Sequence, residues 1–378
     1  MSEAKILLLS VSAGAGHVRA AEALRRCAEL QFPGVETLHL DVMQYVTTAF
    51  RKIYTDWYVK FVSASPTMWR LLYEITDDAN PRGPLQRLRR ITERLNTKAL
   101  LRALKDFQPT AVVCTHFLPA ELLMHQIGRD QLNVPVWVQV TDFDLHRMWV
   151  MPNMAGYFAG NPEIAARMRQ VIAPPTQIHS TGIPVMPEFG ATSDQALIRQ
   201  RCGLEPARPM VLLMGGGAGM GGLDDVARAL LAIERDFQLV VLAGKNQKTL
   251  DALQPLAAQY PGRLIALGFT SEVHCLMACA SFVITKPGGL STSECLAVGV
   301  PMILNSPIPG QEERNADYLL EHGAALKAAD EFALTWRVRR LLGDPELLES
   351  MRRHAAAIGR PEAARDVLRI VLGQRHEH

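Results

Sequence analysis

Two places in this chain repeat one local design: an apolar run that reads as a strand, a glycine-rich loop, then a helix. Ile6–Ser10 leads into Ala13-Gly-Ala-Gly-His17 and a helical segment over residues 18–31. Met210–Met214 leads into Gly215-Gly-Gly-Ala-Gly-Met-Gly-Gly222 and a helical segment over 223–234. Each opens a series of short β-branched or leucine-rich runs separated by helix-length segments. The first series is 5–11, 35–40, 110–115, 135–140, 155–159 and 177–180. The second is 209–214, 238–243, 263–267, 281–284, 301–304 and 324–327. Such alternation forces parallel strands joined by crossover helices. The expected fold class is α/β, with two Rossmann-like doubly wound domains. The 378 residues and 48% apolar content suffice for two cores.

The domains are expected at 1–182 and 191–358. Between them lies Gly182-Ile-Pro-Val-Met-Pro-Glu-Phe-Gly190, whose Pro and Gly content suits a hinge. Helices are expected over 345–358 and 361–373, and the closing segment 359–378 is expected to cross back to the first domain. Net charge is +2, which gives no global attraction to nucleic acid. Cys27, Cys114, Cys202, Cys275, Cys279 and Cys295 are scattered, and the pair at 275 and 279 has no second pair to complete a metal site. The apolar run Ile6 to Val11 is too short to span a membrane and lacks a signal-peptide layout. A cytoplasmic protein is expected, peripheral on the inner face of the cell membrane.

One region breaks the alternation. Tyr45, Phe50, Tyr54, Trp57, Tyr58, Phe61, Trp69 and Tyr73 crowd residues 45–76. Arg82, Arg87, Arg89, Arg90, Arg94, Lys98, Arg102 and Lys105 follow. Aromatics beside cations suit an interfacial membrane site. The other reading is a pair of ordinary helices with inward aromatics and solvated arginines.

The most specific stretch is Lys286-Pro-Gly-Gly-Leu-Ser-Thr-Ser-Glu-Cys295. A strand stops, two glycines turn the chain, and a helix is expected to begin at Leu290-Ser291-Thr292. Helix N-termini present unpaired N–H groups and a partial positive charge, which suits phosphate. Glu294 is expected in the first turn, within reach of sugar hydroxyls. A second polar loop, Asn305-Ser-Pro-Ile-Pro-Gly-Gln-Glu-Glu-Arg-Asn315, enters a second helix.

The glycine loops do not make a dinucleotide site. In the first, Gly14 and Gly16 are followed by Arg19 where a third glycine belongs. Asp41, ending the second strand, mimics a ribose-binding acid and is read as coincidence. The second loop matches with Gly217, Gly219 and Gly222, but its next strand closes on Ala243-Gly244 without an acid. No Walker-type Gly-x-x-x-x-Gly-Lys-Ser/Thr occurs. His17 enters its helix at the carboxyl end of a strand, where open α/β sheets bind ligands. It reads as a base suited to a hydroxyl proton, or as a residue that only caps or packs. Asp142-Phe-Asp144 with His146 follows the strand at 135–140. It reads as an acceptor-side element or, as the other option, a divalent-cation motif.

These motifs resemble the GT-B glycosyltransferases of family 28. The likeness is to monogalactosyldiacylglycerol synthases and processive diacylglycerol glucosyltransferases. It rests on Ser12-Ala-Gly-Ala-Gly-His-Val-Arg-Ala-Ala-Glu22, on Thr141-Asp-Phe-Asp-Leu-His146 with Trp149, on Gly215–Gly222, and on Lys286 through Asn315. The resemblance implies two domains facing a cleft, with a UDP-sugar held by the second. It implies inverting transfer of a hexose to the hydroxyl of diacylglycerol, with His17 and Asp142 as catalytic residues. Gly215, Gly216, Gly217, Gly219, Phe269, Thr270, Gly289, Leu290, Ser291, Thr292, Glu294, Gln311 and Glu312 would hold the donor. The backbone N–H groups of Gly289, Leu290, Ser291 and Thr292 would neutralise the departing UDP. Phe269 and Thr270 would line the uracil, Glu294 would take the ribose hydroxyls, and Gln311 with Glu312 would read the sugar. Gly14, Gly16, His146, Trp57, Tyr58 and Trp69 would form the acceptor and membrane side. No cofactor or metal is expected. The donor would be UDP-glucose, UDP-galactose or UDP-glucuronate, and the partners are diacylglycerol and an anionic membrane surface, with no nucleic acid. Alternatives are a natural-product glycosyltransferase, a UDP-sugar 2-epimerase, a peptidoglycan-type N-acetylglucosaminyltransferase or a non-catalytic UDP-sugar-binding protein.

Overall fold

The structure is a computed structural model that describes residues 4–12, 14–46, 98–128, 132–191, 194–215 and 222–373. The chain divides into two compact units. The first comprises Met1–Pro187, Ile308–Gln311 and Glu362–His378; the second comprises Glu188–Pro307 and Glu312–Pro361.

The first unit is built on a six-stranded parallel sheet. Its strands are β1 (Ala4–Ser10), β2 (Val35–Asp41), β3 (Ala111–Cys114), β4 (Val136–Gln139), β5 (Gly156–Ala159) and β6 (Gln177–Ser180). Its helices are α1 (Ala15–Gln31), α2 (Lys98–Phe107), α3 (Phe117–Ile127) and α4 (Pro162–Val171). The strand order is β2-β1-β3-β4-β5-β6, so the connection reverses between β1 and β3. Both faces of β1 are buried, and its side chains alternate between two cores. Leu7 and Leu9 enter one with Val112 and Val138; Ile6 and Leu8 enter the other with Leu24 and Val113. Burial on both faces explains why β1, β3 and the central strands beside them read as apolar runs, whereas the edge strands β2 and β6 are only partly buried and carry polar residues.

The second unit begins with α5 (Gln195–Arg201) and has its own six-stranded parallel sheet. Its strands are β7 (Met210–Met214), β8 (Gln238–Gly244), β9 (Leu264–Gly268), β10 (Phe282–Thr285), β11 (Met302–Asn305) and β12 (Ala325–Ala328). The helices between them are α6 (Leu223–Leu231), α7 (Gln247–Gln259), α8 (Val273–Cys279), α9 (Gly289–Val298) and α10 (Gln311–Glu321). Two more, α11 (Glu331–Gly343) and α12 (Pro345–Ile358), follow β12. The order β12-β11-β10-β7-β8-β9 reverses between β7 and β10. Val211, Leu213, Leu239, Val241 and Ile303 form the centre of its core.

The last helix, α13 (Ala363–Val371), belongs to the first unit. Its Ala364, Val367 and Leu368 pack with Ile6, Leu8 and Leu24. All twelve expected strands form, and both sheets are parallel throughout. The cysteines are free thiols, with Cys27, Cys114, Cys279 and Cys295 buried.

Candidate active site

In the first unit the site grows from the reversal point of the sheet. β1 and β3 are adjacent, so the loops leaving their carboxyl ends meet. One loop delivers His17, in the first turn of α1; the other delivers Thr115 and His116. Thr115 holds His17 at two points. Its carbonyl oxygen lies 3.0 Å from His17 Nδ1, and its hydroxyl donates to the His17 carbonyl at 2.8 Å. A carbonyl only accepts, so Nδ1 carries the proton. The Thr141 hydroxyl oxygen, 2.9 Å from the same nitrogen, acts as a second acceptor. Nε2 is left with its lone pair, as a general base requires. Burial lowers the His17 pKa to about 4, opposed in part by the bond to Thr115. The imidazole is therefore neutral at physiological pH.

His116 packs edge-on to His17, with ring centroids 4.5 Å apart. Its Nδ1 accepts the Leu118 N–H at 3.0 Å, capping α3. Burial, followed by the proximity of His17, holds it well below the usual histidine range.

Asp142 follows β4 and is 5% exposed. Its Oδ2 accepts from Trp149 Nε1 at 3.2 Å, and its Oδ1 accepts from the amide of Gln311. Residues 308–311 pack with the first unit, whereas Glu312 packs with the second. Gln311 and Glu312 were expected to read the sugar hydroxyls; here the amide of Gln311 donates to Asp142. Asp144 pairs with Arg167 at 3.1 Å, so the two acids of the Asp-Phe-Asp motif face different partners. His146 is buried, and its Nδ1 accepts the Met148 N–H at 3.2 Å. Gly14 is the extended N-cap of α1, and the space where its Cβ would stand is open; Gly16 lies in the first turn. Asp41 caps the short turn after β2, accepting from the N–H groups of Met43 and Ser12 at 3.0 and 3.1 Å. It serves as the N-cap of that turn.

In the second unit the candidate donor residues sit at the carboxyl ends of successive strands. β10 ends at Thr285, and Lys286-Pro287-Gly288 turns the chain into α9. Gly288 is its N-cap, with no side-chain capping bond. The helix therefore starts at Gly289, one residue before the expected Leu290. Two corrections follow. Glu294 lies in the second turn, not the first, and is buried at 5% exposure. The Thr292 N–H is taken by the Gly288 carbonyl at 3.0 Å, so the N–H groups without an intrahelical acceptor are those of Gly289, Leu290 and Ser291. Thr292 and Ser293 turn their hydroxyls back to the carbonyls of Gly288 and Gly289 at 2.9 and 2.7 Å, bracing the turn. Asn315 Nδ2 donates to the Pro287 carbonyl at 3.1 Å and ties α10 to this loop. A Cβ on Gly288 would stand 4.0 Å from Glu312 Oε1, which places the Glu312 carboxyl beside the same helix end.

Phe269 follows β9 and is 68% exposed. Lys245, from the loop after β8, sits over its ring at 5.3 Å. Thr270 accepts from the Glu272 N–H at 3.0 Å. Gly215 is buried at the end of β7. Gly216, Gly217 and Gly219 lie outside the described residues, as do Trp57, Tyr58 and Trp69. At the edges of the aromatic and basic region, Tyr45 packs against the first core, while Arg102 and Lys105 are exposed on α2. Sequence reasoning missed Thr115, His116 and Lys245. The available signal was position: each is polar and directly follows, or nearly follows, a buried strand of a doubly wound sheet.

Residues 17–185 match the family described as monogalactosyldiacylglycerol (MGDG) synthase, and residues 194–357 match glycosyl transferases group 1. The chain is a GT-B glycosyltransferase. The processive diacylglycerol beta-glucosyltransferase of Bacillus pumilus is 28% identical to this glycosyltransferase over 372 residues, covering 98% of this chain and 95% of the relative. The enzyme of the same description from Bacillus subtilis is 27% identical, covering 97% and 94%. Among solved structures, Acinetobacter baumannii MurG matches with a TM-score of 0.63 at 17% identity, over 98% of this chain and 100% of that one. The S. aureus MnaA–UDP structure matches with a TM-score of 0.62 at 12% identity, over 98% of both chains. At these identities the structural likeness speaks for the fold. No described helix of the glycosyltransferase is long and apolar enough to cross a membrane.

Proposed function

We propose that this glycosyltransferase moves a hexose from a UDP-sugar to the hydroxyl of diacylglycerol and so makes a membrane glycolipid. The observation that carries the reading is the near full-length similarity to processive diacylglycerol beta-glucosyltransferases. The arrangement around His17 is consistent with that chemistry. Nε2 of His17 takes the proton of the acceptor hydroxyl, the oxygen attacks the anomeric carbon, and the bond from that carbon to the UDP oxygen breaks. One displacement of this kind inverts the anomeric configuration. Asp142, held by Trp149 and Gln311, lies on the acceptor side with His146.

Charge develops on the departing diphosphate. The free N–H groups of Gly289, Leu290 and Ser291, with the α9 dipole behind them, suit that charge without a metal or cofactor. Phe269 offers a stacking face for uracil, Glu294 acceptors for the ribose, and Glu312 a carboxylate for the sugar hydroxyls. The enzyme works as a peripheral protein on the anionic inner face of the cell membrane, through residues 45–105.

The test is product analysis by thin-layer chromatography and mass spectrometry. UDP-glucose, UDP-galactose and UDP-glucuronate are each supplied with and without diacylglycerol. A glycosylated diacylglycerol with one of the donors is expected. Epimerised nucleotide sugar without acceptor, or no lipid product with any donor, would overturn the reading.

A further inference from the structure

The inner face of α11 is ordinary: Leu334, Val338 and Leu341 are buried in the second core. Its outer face is not. Phe332 is 75% exposed and Trp336 59%. The two are one helical turn apart, and their rings stack with centroids 6.4 Å apart and planes 21° apart. They contribute nothing to the core, and a contiguous aromatic pair in water is unfavourable for a protein that leaves it uncovered.

The same face continues into cations. Arg339 and Arg340 lie three and four residues beyond Trp336, both exposed. Arg235, also exposed, comes alongside; its Nη2 is 3.4 Å from where a Cβ on Gly343 would stand. Among the described residues none of these three guanidiniums has an ion pair, whereas Arg337 on the flank of the helix donates to the Ala333 carbonyl at 3.1 Å. Glu331 at the other end of α11 is the helix's single acid. The face is thus graded, with stacked aromatics followed by unpaired arginines.

We infer that this aromatic and arginine face of α11 is a second membrane contact, one that docks the donor-binding unit on an anionic lipid surface. The inference rests on the reading of the protein as a lipid glycosyltransferase. Charge selects the occupant. Trp and Phe settle at the boundary between headgroups and acyl chains, while guanidiniums pair with lipid phosphates. Area argues against a protein partner. Two aromatic side chains offer at most about 300–500 Å², short of the roughly 800 Å² that each partner contributes to a stable protein interface. A bilayer requires no matched partner surface.

The experiment is flotation of the full chain with vesicles, one set of phosphatidylcholine alone and one of phosphatidylcholine mixed with phosphatidylglycerol. The variants are Phe332→Ser with Trp336→Ser, and Arg339→Gln with Arg340→Gln. Each arginine is worth about five-fold in affinity for an anionic surface. The arginine variant is expected to bind mixed vesicles roughly 30-fold more weakly and to bind phosphatidylcholine unchanged. The aromatic variant is expected to weaken on both. Brominated acyl chains are expected to quench wild-type fluorescence more than that of Trp336→Phe. Both double variants should keep the wild-type unfolding temperature and turnover on diacylglycerol in detergent micelles. Vesicle binding equal to wild type in both variants would overturn the inference while leaving the lipid-transferase reading standing. So would sedimentation equilibrium showing a wild-type dimer that the aromatic variant dissolves. Failure of the wild type to glycosylate diacylglycerol in micelles would instead overturn the lipid-transferase reading, and flotation would still decide the α11 contact.

Discussion

The ring Nδ1 of His17 lies 3.0 Å from the carbonyl oxygen of Thr115, and this contact fixes the tautomer of the imidazole. Nε2 becomes the basic nitrogen. With Nδ1 committed, replacing His17 by Ala removes the proton acceptor while leaving the residues of the second unit in place. Turnover should fall by about two to four orders of magnitude, and UDP affinity measured by calorimetry should be unchanged. Turnover within a few-fold of wild type would exclude His17 as the base.

The same residue sets a pH dependence. Burial lowers the His17 pKa from 6.5 to about 4. As pH falls below 6.5 the unfolded chain takes up the proton first, so stability contributed by the neutral ring is present above pH 6.5 and is lost as pH falls through 4. Wild type should lose on the order of 1 kcal/mol more stability than His17→Gln between pH 7 and pH 5, measured by urea unfolding. The acidic limb of kcat/KM should lie near pH 4 to 5 rather than at 6.5. Equal losses in the two proteins would mean that His17 is as easily protonated folded as unfolded.

Much of the fold was legible because β1, β3, β4, β5, β7, β8, β10 and β11 are buried and set apart by turn residues, which leaves discrete apolar runs. Helix starts were less legible where the cap is glycine. Gly14 and Gly288 make no side-chain capping bond, so nothing in the sequence marks Ala15 or Gly289 as the first helical residue. At α12 the Asp344 side chain accepts from Leu347 N–H and Pro345 follows, and there the expected start was right. The site was legible in its motifs but not in its contacts. His17 meets Thr115 and Thr141 across 98 and 124 residues of chain. Those meetings depend on β1 lying beside β3, and apolar periodicity does not reveal strand order.

Glu294 tests the donor half. It is buried near the start of α9, and its proposed role is to accept the ribose hydroxyls of the nucleotide. Glu294→Gln keeps the shape and removes the charge. UDP affinity by calorimetry should fall by about ten-fold, the loss of one charge-assisted hydrogen bond. Unchanged affinity would remove Glu294 from the nucleotide site.

Trp57 and Trp69 lie outside the described residues and are proposed to face lipid. Trp57→Ala with Trp69→Ala should reduce sedimentation with anionic vesicles while leaving the unfolding temperature within about 2 °C of wild type, because an exposed aromatic adds little to a core. A large drop in unfolding temperature with unaltered vesicle binding would make both residues core.

The position of α9 depends on a glycine far from it in sequence. Gly359 ends α12, and a Cβ built there would fall well inside van der Waals contact with the backbone carbonyl of Leu296, in the last turn of α9. Backbone on both sides leaves no flexible side chain to yield, and the φ of −61° at Gly359 is open to any residue. The requirement is therefore close packing rather than a special conformation. Gly359→Ala should destabilise the second unit by about 1–3 kcal/mol, and UDP affinity should fall with it as α9 shifts. Gly128→Ala is the control, since its φ of −64° is open to any residue and a Cβ there would meet only ordinary contacts, at 3.5 and 3.6 Å. It should leave the unfolding temperature nearly unchanged. Equal stability of the two variants in urea unfolding would mean that α9 is not held against Gly359.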